Sequence, residues 1–195
     1  MINCDSFFFD ENEHLYGKGK RLVLFCQGCS LRCHGCSNAH LWEFGKGTDI
    51  SVEQLCSLVN RQDVEGITLL GGEPLDQCAD IAELIARIKQ MGKTVVLFTG
   101  YHRKELIEPA QRRAWALADI VISGRYVEAK RSLYLQFRGS TNQRVYRHKG
   151  RYRNYTLSDG QTSAVFEVDE SGNLTARGFI GNGLNQAIKD VTTKC

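Results

Sequence analysis

Cys29, Cys33 and Cys36 stand in the run Cys29-Ser30-Leu31-Arg32-Cys33-His34-Gly35-Cys36, a C-x3-C-x2-C spacing. Three thiolates on one short loop can converge on a single metal centre, and soft sulfur suits iron-sulfur clusters and zinc. The count of three is informative. Structural zinc and iron-sulfur sites normally take four ligands, so three cysteines either draw a distant fourth or leave one coordination position open for chemistry. Cys26, three residues before Cys29, is the obvious candidate for a fourth ligand, but it falls inside an apolar run. Cys4, Cys56, Cys78 and Cys195 are scattered and read as thiols buried among apolar side chains.

Further along, Gly71-Gly72-Glu73-Pro74 sets two glycines, which let a ligand approach the backbone, beside a carboxylate able to hold a cationic amine. Thr99-Gly100-Tyr101 and Ser123-Gly124 are unremarkable alone. The elements that precede these four motifs make them a set. Arg21 to Gln27 (RLVLFCQ), Gly66 to Leu70 (GITLL), Thr94 to Phe98 (TVVLF) and Asp119 to Ile122 (DIVI) are short apolar runs of strand type. Each ends where one motif begins.

Between the strands, Ser51 with Gln54 makes a capping box opening a helix to Arg61, and Gln77 to Met91 is a long amphipathic helix. Arg103 to Ala118 is read as helical, with Pro109 as a kink or restart. Such alternation predicts an α/β fold with a parallel sheet and right-handed crossovers. Ligands in such folds bind at the carboxyl ends of the strands, so the four motifs are expected on one face. Arg144 to Arg147 is read as a further strand. From Tyr155 to Phe179 the alternation of Ala164, Phe166 and Val168, a turn at Glu170-Ser171-Gly172-Asn173 and the run from Leu174 predict a small C-terminal β-hairpin. The domain division is residues 1–150, carrying the cluster site, and residues 151–195, a β-rich extension of the same domain.

Composition narrows the function class. The chain has 195 residues, 42% hydrophobic, with 25 Lys and Arg against 22 Asp and Glu. A formal charge of +3 is too weak a bias to argue for nucleic acid or a membrane surface. The basic residues between Arg125 and Arg153 read as a solvated surface or a partner contact. No secretory leader and no apolar stretch of roughly 18 or more residues is found, so a cytoplasmic protein is expected. A reducing compartment favours metal binding or free thiols over disulfides.

With these residues in view, the chain resembles the radical SAM superfamily, whose signature is C-x3-C-x2-C followed by a GGE-type motif after the second strand. The resemblance narrows through Gly17-Lys18-Gly19-Lys20-Arg21, the C-x3-C-x-G-C form of the cysteine motif, Asn38 with Trp42, Gly71 to Leu75, Thr99-Gly100-Tyr101 and Arg138-Gly139-Ser140-Thr141-Asn142-Gln143. In that order they resemble the glycyl-radical activases of anaerobic ribonucleoside-triphosphate reductase, over roughly Gly17 to Arg147. Gly35 stands where much of the superfamily has an aromatic, Lys18 where these activases usually carry proline, and the chain after about Gly150 goes beyond the short activase pattern.

The resemblance implies a partial TIM-like (β/α) barrel and a 4Fe-4S cluster held by Cys29, Cys33 and Cys36, with S-adenosylmethionine on the fourth iron. It implies that Gly71, Gly72 and Glu73 cradle the methionine end, with Glu73 near its ammonium. Gly35 and Ser37 would lie against the adenosyl part, and Arg138, Ser140, Asn142 and Gln143 deeper in the site. The polar loop from Arg138 to Gln143 has an alternative reading, in which it only fixes its own turns. The implied partners are a glycyl-radical reductase-like protein and a low-potential electron donor such as flavodoxin. Two other readings are a radical SAM enzyme for a different peptide or metabolite and a non-enzymatic electron carrier or zinc-stabilised module. The last predicts four ligands and no need for Gly71 to Glu73.

Overall fold

The computed structural model describes residues 1–148, 150–160, 164–168 and 174–178. In chain order these form β1 (Ile2–Asp10), one turn of helix α1 (Glu13–Tyr16), β2 (Arg21–Cys26), β3 (Thr48–Ile50), α2 (Val52–Arg61), β4 (Gly66–Gly71), α3 (Cys78–Gln90), β5 (Thr94–Thr99), α4 (Pro109–Leu117), β6 (Ile120–Ser123), β7 (Arg144–Arg147), β8 (Ala164–Val168) and β9 (Leu174–Gly178). One sheet runs in the order β3-β1-β2-β4-β5-β6-β7, and β8 pairs with β9 apart from it. Strands β2, β4, β5 and β6 are parallel. β1, β3 and β7 are added antiparallel. The architecture is thus mixed α/β, with β3 and β7 as the sheet edges among the described residues.

The parallel strands are apolar nearly throughout because both of their faces are covered. Leu22, Leu24 and Cys26 of β2 join Ile67, Leu69, Val95 and Leu97 on the face packed with α2, α3 and α4. The alternate residues, Val23, Phe25, Leu70, Val96, Phe98, Ile120 and Ile122, face the other way. There Tyr152, Tyr155 and Leu157 pack with Phe137 over Val96 and Ile120. The chain after Gly150 therefore contributes to the core.

The amino-terminal end of this second face is plugged by Arg21, which is fully buried. Its guanidinium donates to Thr68 Oγ1 at 2.7 Å, the Ile67 carbonyl at 2.7 Å and Tyr152 Oη at 3.2 Å. Burial pushes its pKa down, yet these acceptors satisfy the donors that burial takes from water. With one end closed, the space on this face opens at the carboxyl ends of the strands.

Two strands were not anticipated. β1 carries a register shift between Cys4 and Ser6, which breaks the period-two alternation, and β3 is only three residues long. The helix read from Arg103 begins instead at Pro109, after a separate turn at Arg103–Glu105. Proline drives Glu108 out of helical geometry, to φ −76° and ψ 137°, so the helix restarts with Pro109 in its first turn. The hairpin turn at Glu170 to Asn173 and Phe179 lie outside the described residues.

Candidate active site

Because β2, β4, β5 and β6 are parallel, the loops after Cys26, Gly71, Thr99 and Ser123 leave the same edge of the sheet. They surround a cavity of about 280 Å³, near the lower end of the roughly 300–1,000 Å³ of small-molecule sites. Cys29, Cys33, Cys36, Ser37, Gly71, Gly72, Glu73 and Gln143 line it, together with Thr99, Gly100 and Gly124. Its floor is apolar, formed by Phe25, Leu70, Phe98 and Ile122.

The cysteine loop is held by main-chain bonds. Gly28 N–H donates to the Leu41 carbonyl at 2.8 Å and Cys29 N–H to the Trp42 carbonyl at 3.0 Å. Ser30 is tied down by Asp76, whose carboxylate accepts the Ser30 N–H at 2.7 Å and the Tyr101 hydroxyl at 2.8 Å. Burial pushes the Tyr101 phenol up to about 12, and its hydrogen bond to Asp76 keeps the proton in place. One carboxylate thus joins the loops after β2, β4 and β5.

Gly71 and Gly72 are required by backbone packing. Gly72 N–H donates to the Cys26 carbonyl at 2.8 Å and Glu73 N–H to the Gly28 carbonyl at 2.9 Å. A Cβ on Gly72 would collide with that Gly28 carbonyl, and one on Gly71, at φ +105°, would stand 2.6 Å from the Cys26 nitrogen. The close approach anticipated for a ligand is therefore made by the cysteine loop itself, while both glycines also face the cavity.

Glu73 is 1% exposed. Burial pushes its carboxyl up to about 7, against the pull of three donors: Leu75 N–H at 2.9 Å, Thr99 Oγ1 at 2.8 Å and Gly100 N–H at 2.7 Å. A buried carboxylate on a cavity wall favours a cationic group as its neighbour.

Burial also pushes the Cys29 and Cys33 thiols up, so they await a cation to become thiolates. Among the described residues no three His, Cys, Asp or Glu side chains converge where one metal ion could sit. A single tetrahedral ion needs such convergence, whereas a multi-iron cluster takes each thiolate on a different iron. Cys26 lies in the helix-side core, fully buried, on the face opposite Phe25 and the cavity. It is not presented to the cysteine loop as a fourth ligand.

The Arg138 to Gln143 loop is bonded to the chain on either side of it as well as to itself. Arg138 donates to Asp159 at 2.7 Å, and the buried Ser140 hydroxyl accepts the Val127 N–H at 3.2 Å. Gln143 accepts from Gly139 N–H at 2.8 Å and donates to the Gly124 carbonyl at 2.9 Å. Asn142 donates to the Arg125 carbonyl at 2.9 Å, and its buried Oδ1 has no hydrogen-bond partner among the described residues. Gly35, at φ +74°, presents its bare α-carbon to the Glu128 carboxylate and does not line the cavity. Asp76 and Ser30, which join the loops around the cavity, carry no signal in the sequence, because isolated polar residues in loops have no spacing pattern.

An α/β protein with three cysteines on the rim of a cavity at the carboxyl edge of its parallel strands has the layout of a single-cluster iron-sulfur domain. The family model described as "4Fe-4S single cluster domain" matches residues 15–146. The chain is 34% identical over 139 residues to the anaerobic ribonucleoside-triphosphate reductase-activating protein of Escherichia coli K12, covering 67% of this chain and 90% of that one. To the proteins of the same name it is 31% identical in Haemophilus influenzae, covering 68% and 91%, and 33% identical in Enterobacteria phage T4, covering 67% and 85%. Among solved structures, QueE from Escherichia coli aligns with a TM-score of 0.44 and 18% identity over 60% of this chain and 68% of that one. The chain belongs to the family of anaerobic ribonucleoside-triphosphate reductase-activating proteins.

Proposed function

We propose that the chain is a radical SAM enzyme that installs a glycyl radical on an anaerobic ribonucleotide reductase-like protein. One observation carries the reading: Cys29, Cys33 and Cys36 share a cavity with Gly71, Gly72 and Glu73, in a chain of the activating-protein family. The three thiolates would hold three irons of a 4Fe-4S cluster and leave the fourth to the amino and carboxylate groups of S-adenosylmethionine. When bound and reduced, the pair supplies cleavage of the sulfonium to methionine and a 5'-deoxyadenosyl radical that takes a hydrogen atom.

The chain's own residues bind, orient and exclude water. Glu73 would offer its carboxylate to the methionine ammonium, with Gly71 and Gly72 beneath it. Ser37, and Gly35 behind it, would lie toward the adenosyl part. Gln143 would meet the ligand from the opposite wall, while Arg138, Ser140 and Asn142 hold that wall in place. The apolar floor keeps water from the reacting centre. The proposal includes a partially barrel-like curve of the sheet, residues 151–195 as an extension of the cluster domain, a low-potential donor such as flavodoxin, and a cytoplasmic site of action. Among the described residues no helix is long and apolar enough to cross a membrane.

A second reading, a radical SAM enzyme for another peptide or small molecule, draws support from one feature. Asp159 pairs with Arg138 and Gly178 lines the cavity, so chain beyond residues 15–146 helps to wall the site. Anaerobic incubation with reductant, S-adenosylmethionine and a purified anaerobic ribonucleotide reductase separates the two. A glycyl radical signal by electron paramagnetic resonance, absent with Cys36→Ala, supports the activase. 5'-Deoxyadenosine without a radical on the reductase favours the other substrate class.

A further inference from the structure

Gly35 stands directly before Cys36, with φ at +74° and its bare α-carbon turned to Glu128. A Cβ there would collide with the Glu128 carboxylate, 2.6 Å from its carboxyl carbon and 3.3 Å from its Cβ. The side-chain place at position 35 is therefore filled from far along the chain, by the residue that opens the turn Glu128–Lys130 in the loop after β6. Tyr126, in the same loop, lines the cavity with Cys33 and Cys36. The loop thus lies along the cysteine run and brings a carboxylate to the place next to Cys36.

That loop is gripped from outside. The Gln143 side-chain amide donates to the Gly124 carbonyl and the Asn142 amide to the Arg125 carbonyl, both at 2.9 Å. Val127 N–H donates to Ser140 Oγ at 3.2 Å, and Thr141 N–H to the Lys130 carbonyl at 2.9 Å. The run Ser140-Thr141-Asn142-Gln143 therefore holds the loop on both sides of Glu128. Arg125, a cation of the same loop, is paired with Glu105 at 2.7 Å.

We infer that Glu128 is a charge placed beside the cluster, where it opposes the addition of an electron, and that Ser140 to Gln143 are the residues that place it. This role rests on the proposed cluster at Cys29, Cys33 and Cys36. A reduced cluster carries one more negative charge than an oxidised one, so a fixed carboxylate nearby disfavours the reduced form and lowers the potential. Glu128 acts through space and touches no reacting atom. It sets how strong a reductant the electron donor must be. A role confined to packing on Gly35 would need the shape of this side chain but not its charge.

Glu128 is exposed, so substituting it leaves the core intact. The test is redox titration of the anaerobically reconstituted cluster without S-adenosylmethionine, at equal iron content. Glu128→Gln keeps the shape and removes the charge, and should shift the midpoint potential upward. Glu128→Lys should shift it further. Both shifts should shrink at 1 M salt, where the screening length falls to about 3 Å from about 10 Å at 0.1 M. In an Asn142→Ala background, or Ser140→Ala if that chain does not fold, Glu128→Gln should shift the potential less than in the otherwise unaltered chain. An undiminished shift there overturns the assignment of Ser140 to Gln143 as what places the charge. Equal potentials in wild type, Glu128→Gln and Glu128→Lys at low salt, with 5'-deoxyadenosine still released, overturn the role of Glu128 and leave the proposed function standing. Failure of the wild type to release 5'-deoxyadenosine from an intact, reduced cluster instead removes the proposed function.

Discussion

Gly72 lies against Gly28 so closely that the Gly28 carbonyl occupies the space a Cβ on Gly72 would need, and the same carbonyl accepts the Glu73 N–H at 2.9 Å. The cysteine loop and the Gly71-Gly72-Glu73 loop are therefore one backbone-bonded unit. Gly72→Ala should overpack this contact by about 1–3 kcal/mol. Iron content after anaerobic reconstitution should fall well before the fold is lost. Wild-type iron content with Gly72→Ala would show that the contact is not needed to shape the site.

Cys26 and Cys29 are three residues apart, but Cys26 ends β2 in the helix-side core while Cys29, in the loop beyond it, lines the cavity. Cys26→Ala should keep the full cluster and lose only core packing, read by denaturant unfolding. Cys29→Ala, Cys33→Ala and Cys36→Ala should each abolish the cluster absorbance. Loss of the cluster in Cys26→Ala at unchanged fold would make it a ligand after all.

Glu73 predicts a pH dependence of apo-protein stability. Its folded pKa is raised from 4.5 to about 7, so the native state binds the proton more tightly than the unfolded chain. Its favourable contribution is complete below about pH 4.5 and is lost as pH rises through about 7, amounting to roughly 3 kcal/mol. Urea unfolding of the apo-protein between pH 5 and 8 should show this decline. The decline should flatten in Glu73→Gln, and an equally steep decline there would assign it to another group.

Asp76 binds Ser30 and Tyr101, so it acts on the site through the loops it joins. Asp76→Ala should loosen the start of the cysteine loop and speed loss of the cluster in air several-fold, followed by its absorbance. Tyr101→Phe removes one bond to a charged acceptor, about 1.5–3 kcal/mol before allowance for its partial exposure, and should have the smaller effect. Equal bleaching rates in all three proteins would contradict this positioning role.

Much of this arrangement was legible in the sequence because it rests on periodicity and spacing. The apolar runs became β2, β4, β5 and β6, the Ser51 capping box opened α2, and the four motifs met at one edge. What was illegible depends on partners far apart in the chain. The register shift at Cys4 to Ser6 hid β1, and the bonds of Asp76 to Ser30 and Tyr101 span 46 and 25 residues without leaving a pattern. The role of Gly71 and Gly72 was half visible. Two glycines at a strand end imply a close approach, but only the fold identifies the cysteine loop as what approaches.

In the proposed function, Cys29, Cys33 and Cys36 hold a cluster that works on S-adenosylmethionine. The most direct test is anaerobic reconstitution followed by reduction with S-adenosylmethionine present, with 5'-deoxyadenosine and methionine quantified by chromatography. Equal amounts of both are expected from the wild-type chain and neither from Cys33→Ala. An intact, reduced cluster that releases no 5'-deoxyadenosine, or a protein that takes up only zinc, would contradict it.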